Sequence, residues 1–300
     1  MISINDFKPI TLDVKTLFDK HYERYPIEHS DNLFTTLMSW NDYGKYKYIF
    51  KEDNLLLLSQ IKGEIQLRYA SGKYNKDFFN QLFKLAKELE SSYPITLIDA
   101  QTRNWLLENY PKLNFEPFRD VFDYVYLAED LANLPGTKYS KIRNRLNQFK
   151  KNFSYNVEKI SENNLSEVRD FLKRWCLWKD CDSDTLLENE KKAILYSMNH
   201  FVELDLTGIA MRIKDKIEAI SVYEKMTPEM AVIHYEKGSS DYDGIYKAIN
   251  QETAKILQKN FKFINRESDM NIPGLRKAKM SYQPHHMVEV FNLAKECILI

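Results

Sequence analysis

Cysteine is scarce in this chain. There are 3 cysteines, Cys176, Cys181 and Cys297, an odd number with no CxxC pair. That spacing excludes a disulfide framework and a thiolate zinc site, and it fits a reducing, cytoplasmic setting. A surplus charge of either sign is also missing: 43 Lys plus Arg balance 43 Asp plus Glu. A neutral chain does not draw nucleic acid or membrane by its overall field, so a polyanion must be met by a local patch. Long apolar runs are absent. The most apolar stretch, "NLLLLSQI", falls far short of the ~20 residues of a spanning helix. The first residues, "MISINDFKPITLDVK", lack the basic and apolar regions of a secretory signal, so a soluble protein is expected. No HExxH, GxSxG or Walker loop occurs, and "HH" at 285–286 has no spaced partner for a metal.

What is present is a large apolar and aromatic content. Hydrophobic residues make up 44% of 300 residues, enough to bury the cores of two ordinary domains. The 19 Tyr and 17 Phe read as aromatic packing and as groups suited to ligand clefts.

Periodicity gives the organisation. In the first half, "TLDVKTLFDKHY" and "DNLFTTLMSWND" read as helices, and "KYKYIFK", "NLLLLSQ" and "EIQLRYA" as a three-strand meander. "NKDFFNQLFKLAKELESS" is an amphipathic helix with Phe78, Leu82, Leu85 and Leu89 on one face. A strand "PITLIDA", a short helix "TRNWLLENY" and a final strand "RDVFDYVYL" follow. The second half runs through a similar list. After the strand "SYNVEKIS" come two helices, then the strands "LTGIAMRIK", "KIEAISVYEK" and "MAVIHYEKG". The helix "GIYKAINQETAKILQKN", the strand "FKFINRE", the helix "GLRKAKMSY" and a last strand around "HMVEVFNL" complete it. The element order repeats although the residues do not. Two similar α/β (α+β) domains are expected, 1–135 and 136–300, divided where Pro135 and Gly136 punctuate the chain.

That order is similar to the GNAT acyltransferase fold: tandem domains, each a mixed, mostly antiparallel sheet flanked by helices. The likeness implies a cleft where the strand "MAVIHYEKG" splays from its neighbour. The turn after that strand, "EKGSSDYDG", departs from the glycine-rich loop that holds a diphosphate at a helix N-terminus. Asp241 and Asp243 lie in it and would repel a diphosphate. Acyl-CoA is therefore the alternative donor rather than the first, and a non-catalytic binding protein on the same fold is the other alternative.

Two segments carry a more specific likeness. "DYVYLAEDLANLPGTKYSKIRNRLNQFKKN" and "INRESDMNIPGLRKAKMSYQP" resemble signature segments of the family related to the C-terminal domain of phosphatidylglycerol lysyltransferase, in its short soluble members. The likeness spans essentially the whole chain. It is sharpest in K-x-R-N, ending at Asn144, and in N-R-E-x-D followed by G-L-R-K-A-K-x-S-Y-x-P. More distant kin are the Fem-type transferases of peptidoglycan. The resemblance implies aminoacyl transfer from an aminoacyl-tRNA, as co-substrate and without a cofactor, to an amine or hydroxyl acceptor. That acceptor is a lipid head group or a small molecule. The flippase-like membrane region of the lysyltransferases is missing, which loosens the case for a lipid.

Candidate site residues follow from both lines. In "TKYSKIRNRLNQFKKN", Ile142, Leu146 and Phe149 make a core stripe, while Lys138, Lys141, Arg143, Arg145, Lys150 and Lys151 form a basic face without an acid. Arg143 and Asn144 are expected to bind substrate there, Arg143 by holding phosphate. Glu267 and Asp269 follow a strand that borders the splay. Either can serve as general base or bind an α-ammonium. Arg276 and Lys279 share one side of the next helix and can neutralise Asp269, meet a phosphate, or simply brace the loop by salt bridges. His234 and Glu236, two apart on the cleft strand, share a face and can assist proton transfer. The backbone N–H groups of "VIHYEKG" are expected to face an oxyanion. Tyr242 and Asn250 are implied as pocket-lining groups by the family likeness alone.

Overall fold

The alternating apolar runs do form strands. Along the chain these are β1 (Lys8–Pro9), β2 (Lys47–Lys51), β3 (Asn54–Ile61), β4 (Glu64–Gly72), β5 (Ile95–Asp99), β6 (Phe115–Pro117), β7 (Asp123–Leu127), β8 (Asn156–Lys159), β9 (Thr207–Ile213), β10 (Lys216–Lys225), β11 (Met230–Gly238), β12 (Phe263–Asn265), β13 (His286–Val288) and β14 (Val290–Leu293). The helices are α1 (Lys15–Arg24), α2 (Phe34–Ser39), α3 (Asn41–Gly44), α4 (Lys76–Glu88), α5 (Ala100–Asn109), α6 (Ala128–Asn133), α7 (Ser140–Asn152), α8 (Leu165–Lys179), α9 (Thr185–Asn199), α10 (Ile245–Leu257) and α11 (Pro273–Ser281). This is a computed structural model, and it describes residues 1–181 and 184–298. Among the described residues no helix is long and apolar enough to cross a membrane.

One sheet runs β1-β2-β3-β4-β5-β14-β6 and the other β8-β9-β10-β11-β12-β7-β13. Place by place the two orders correspond. In each an antiparallel meander leads through a helix, α4 or α10, to a strand parallel to the meander's last one. The correspondence includes an exchange. The run "RDVFDYVYL", expected to close the first sheet, supplies β7 to the second, where Ile264 lies opposite Tyr126. The single expected strand "HMVEVFNL" is two, and its second half, β14, pairs with β5 in the first sheet. The compact units are accordingly Met1–Asp123 with Val288–Ile300, and Tyr124–Met287. The chain changes unit at the start of β7 rather than at the Pro135–Gly136 break, because β7 finds its backbone partners in the second sheet.

Each unit has its own core. In the first, Phe78, Leu82, Leu85 and Leu89 are buried, on the face that their spacing predicted. In the second, Ile245, Ala248, Ile249 and Leu257 of α10 pack with Ile209, Met211, Ala231 and Ile264 of the sheet. The α7 stripe of Ile142, Leu146 and Phe149 joins them, at 6%, 2% and 0% exposure. Burying each such large side chain stabilises the fold by roughly 1.5–3 kcal/mol.

Two irregularities in the second sheet shape the site. First, β11 and β12 pair only from Met230–Phe263 to Val232–Asn265. Beyond Asn265 the chain follows β7, with the Arg266 N–H on Tyr124 O (2.9 Å) and the Tyr124 N–H on Glu267 O (3.2 Å). β11 continues to Gly238, and β12 offers that stretch no partner. Second, Val222 lies opposite Tyr235 and Tyr223 opposite Ile233, so His234 is the extra residue of a β-bulge. A bulge turns its side chain out of the regular alternation.

The helix after the splay starts at a glycine for a steric reason. Gly244 has φ 91°, and a Cβ there would meet Cβ of Phe149 at 3.0 Å and the carbonyl oxygen of Arg145 at 3.1 Å. Gly244→Ala should therefore destabilise the protein by about 1–3 kcal/mol through backbone strain. A urea-denaturation midpoint equal to the parent's would show that the turn relaxes instead.

Candidate functional site

The splay opens into a cleft of about 450 Å³ within the second unit, lined among others by His234, Glu236, Lys247, Arg266, Glu267 and Tyr282. A chain of three ionisable groups, Glu224, His234 and Glu267, runs into it, and the last two line the cleft. The buried ring of His234 donates from Nδ1 to Oε1 of Glu267 (2.7 Å) and from Nε2 to Oε1 of Glu224 (2.8 Å). Burial alone would lower the imidazole pKa, but the hydrogen bonds and charges of Glu224 and Glu267 raise it to about 10. At neutral pH both ring nitrogens therefore carry protons, and the ring has no lone pair with which to take another. It acts on the site by fixing Glu267. That carboxylate is the end of the chain open to the cleft, with 30% of its side chain exposed against 3% for His234.

Glu267 is held in an unusual backbone conformation, φ 57°. Such a left-handed non-glycine residue costs of order 1–3 kcal/mol and persists only where its surroundings enforce it. Lys279 enforces it here. Its buried ammonium donates to the carbonyl oxygens of Arg266, Glu267 (3.0 Å) and Ser268 (2.6 Å). A lysine committed to three carbonyls is a clamp on the loop, not a phosphate ligand.

Asp269 is likewise committed. It is fully buried and receives Nε and Nη2 of Arg276 (2.9 Å each), the Tyr124 hydroxyl and the Asn271 N–H. Burial would raise the carboxyl pKa, yet the bonds from Arg276 and Tyr124 hold it at about 2. Neither Asp269 nor Arg276 lines the cleft. Of the alternatives open for this segment, the pair takes the loop-bracing one.

Also lining the cleft, Arg266 binds Glu236 through Nε (3.1 Å) and Nη2, and Nδ2 of Asn250 reaches the second oxygen of Glu236 at 3.0 Å. Asn250 thus stands behind Glu236 and does not line the cleft itself. Burial works against the Arg266 charge, and Glu236 more than restores it. The basic face of α7 meets the cleft only at Arg145, which pairs with Asp243 at 3.2 Å. Arg143 turns away and binds the carbonyl oxygens of Leu134 and Gly136, and Asn144 is exposed outside the cleft. Tyr242 packs on Phe153 rather than lining the cleft.

The open edge of β11 completes the site. The Ser239 N–H binds Glu218 O across to β10 (2.8 Å). Strand alternation then turns the N–H groups of Glu236 and Gly238 the other way, toward the splay. Residue reading had missed Lys247, Tyr246 and Arg266. Lys247 sits in the first turn of the helix that follows the cleft strand, a position that could have marked it.

A splayed parallel pair, a helix starting beside it and a bulged cleft strand define a protein of tandem GNAT-like type. A tandem GNAT protein from the clavulanic acid biosynthesis pathway matches at TM-score 0.50 and 7% identity, over 96% of this chain and 98% of its own. The model of the phosphatidylglycerol lysyltransferase C-terminal family matches residues 22–294, and the chain belongs to that family. A conserved protein of unknown function from Bacteroides thetaiotaomicron VPI-5482 superposes at TM-score 0.89 with 28% identity, covering 96% of this chain and 98% of its own. L-PGS from Bacillus licheniformis superposes at 0.63 with 14% identity, over 96% and 93%. The family is one of aminoacyl-type transferases.

Proposed function

We propose that this chain moves an aminoacyl group from the ester of an aminoacyl-tRNA to an amine or hydroxyl acceptor, a lipid head group or a small molecule. The observation that carries this reading is the position of Glu267: a carboxylate braced by a buried imidazolium at the mouth of an open strand edge. The acceptor atom attacks the ester carbonyl carbon. Its proton passes to Glu267 and then to the departing ribose oxygen as the ester bond breaks. The carbonyl oxygen gains charge in the transition state, and in this reading the N–H groups of Glu236 and Gly238 donate to it. Family membership supports the donor class.

The test follows the label. Bulk tRNA charged with radioactive amino acids is incubated with the protein and with lipid or small-molecule acceptors, and acetyl-CoA is tried as donor in parallel. Label should leave tRNA for an acceptor only with active protein. Transfer from acetyl-CoA without loss from any charged tRNA would overturn the proposal in favour of the acyl-CoA reading.

A further inference from the structure

Most cations around the cleft are already committed. Lys237 is paired with Glu190 (2.7 Å), Arg145 with Asp243 (3.2 Å), and Lys279 with three carbonyls. Two donors differ. Lys247 lines the cleft without a carboxylate at ion-pairing distance among the described residues, and its Nζ lies 4.7 Å from the ring centre of Tyr282. Nη1 of Arg266 is sealed from solvent and has no hydrogen-bond partner among the described residues, although Nε and Nη2 of the same guanidinium are satisfied by Glu236. The guanidinium lies over the same Tyr282 ring, at 4.9 Å. Lys247 and Arg266 thus share one ring, and their like charges repel unless an anion is bound near them.

We propose that Lys247, with the Arg266 charge against the same tyrosine ring, forms a subsite for one singly charged oxyanion, a phosphodiester or a carboxylate. The assignment rests on the aminoacyl-transfer reading only for which substrate brings the anion. The charge count selects the ligand. Lys247 and Arg266 bring two positive charges and Glu236 removes one, so a monoanion neutralises the site and a dianion overshoots. The charged groups facing Lys247 are Arg266 beyond β12, Arg145 on α7 and Glu236 on β11. Burial, then Arg266, lower the Lys247 pKa to about 8. The ammonium is thus protonated at neutral pH and loses its proton in mild base, and an anion bound to it is lost over the same range.

The experiment is an NMR titration of the ¹⁵N-labelled full chain with dimethyl phosphate and, separately, with acetate. Signals of Tyr246 and Lys247 should move and saturate with at least one probe, and the tighter probe tells phosphodiester from carboxylate. Lys247→Gln should weaken that binding by roughly tenfold or more, the loss of one charge-assisted hydrogen bond. Wild-type affinity should fall as pH rises through about 8. Lys247→Arg should bind without that fall, because a guanidinium keeps its proton throughout the range. Saturation of the glutamine variant at the wild-type concentration would overturn the subsite, as would failure of both probes to move cleft signals. Binding is read without turnover, so these outcomes are distinct from a failure of aminoacyl transfer.

Discussion

Replacing Arg276 by alanine should destabilise the protein by about 3 kcal/mol, the lower end of what removing one partner of a buried ion pair costs. The lower end applies because 35% of the Arg276 side chain is exposed while Asp269 is fully buried. Without the two guanidinium bonds, a buried carboxylate keeps the Tyr124 hydroxyl but loses its counter-charge. Asp269→Asn removes that charge together with its need for a partner, and should cost less. The pH dependence carries a sign. The folded carboxyl sits at about 2, below its ordinary 3.8, so its contribution is present above about pH 4 and is lost as pH falls toward 2. Denaturant midpoints across that range should show the acid-side loss in the parent and not in Arg276→Ala. A midpoint unchanged by Arg276→Ala would mean that the loop holds itself without this pair.

Glu267→Gln should lower aminoacyl transfer by roughly 10²–10⁴-fold, the usual contribution of a positioned proton acceptor. The amide keeps the shape and can still accept from Nδ1 of His234, so the melting temperature should stay close to the parent's. The variant also changes His234. Its imidazolium is raised from 6.5 to about 10 by two carboxylates, so it contributes stability that is fully present below pH 6.5 and is lost as pH rises through 10. With one carboxylate removed, that alkaline loss should begin at lower pH. A variant that transfers at the parent's rate would reduce Glu267 to a structural carboxylate and end its assignment as proton acceptor. Unchanged alkaline stability would separately show that Glu224 alone holds the ring protonated.

The helices and strands were largely legible because burial imposes a period on the residues that make it. Ile142, Leu146 and Phe149, or Phe78, Leu82, Leu85 and Leu89, could be assigned to a buried face from spacing alone. The meander was legible in the same way, while the place of the strand after α10 and of Glu267 beside the splay followed from the likeness to the GNAT fold. The destination of β7 and β14 was not legible. An alternating run shows that a strand forms, but its backbone groups pair equally well with either sheet.

The candidate site divides along the same line. Sequence by itself determined which residue types would stand near the splay: the acids after β12, the basic helix α11, and the histidine on the cleft strand. Only the tertiary structure decided what each was free to do. Asp269, Arg276, Lys279 and Arg143 had looked available as base or phosphate ligands. Each is bound to protein groups, because a charge brought into a fold must be paired or hydrogen-bonded where it lands. Among the groups lining the cleft, Glu267 is braced by His234, and Lys247 has no carboxylate at ion-pairing distance among the described residues. Spacing along the chain records which side chains share a face. It does not record which hydrogen bonds remain unmade, since that is settled by atoms brought close from distant parts of the chain.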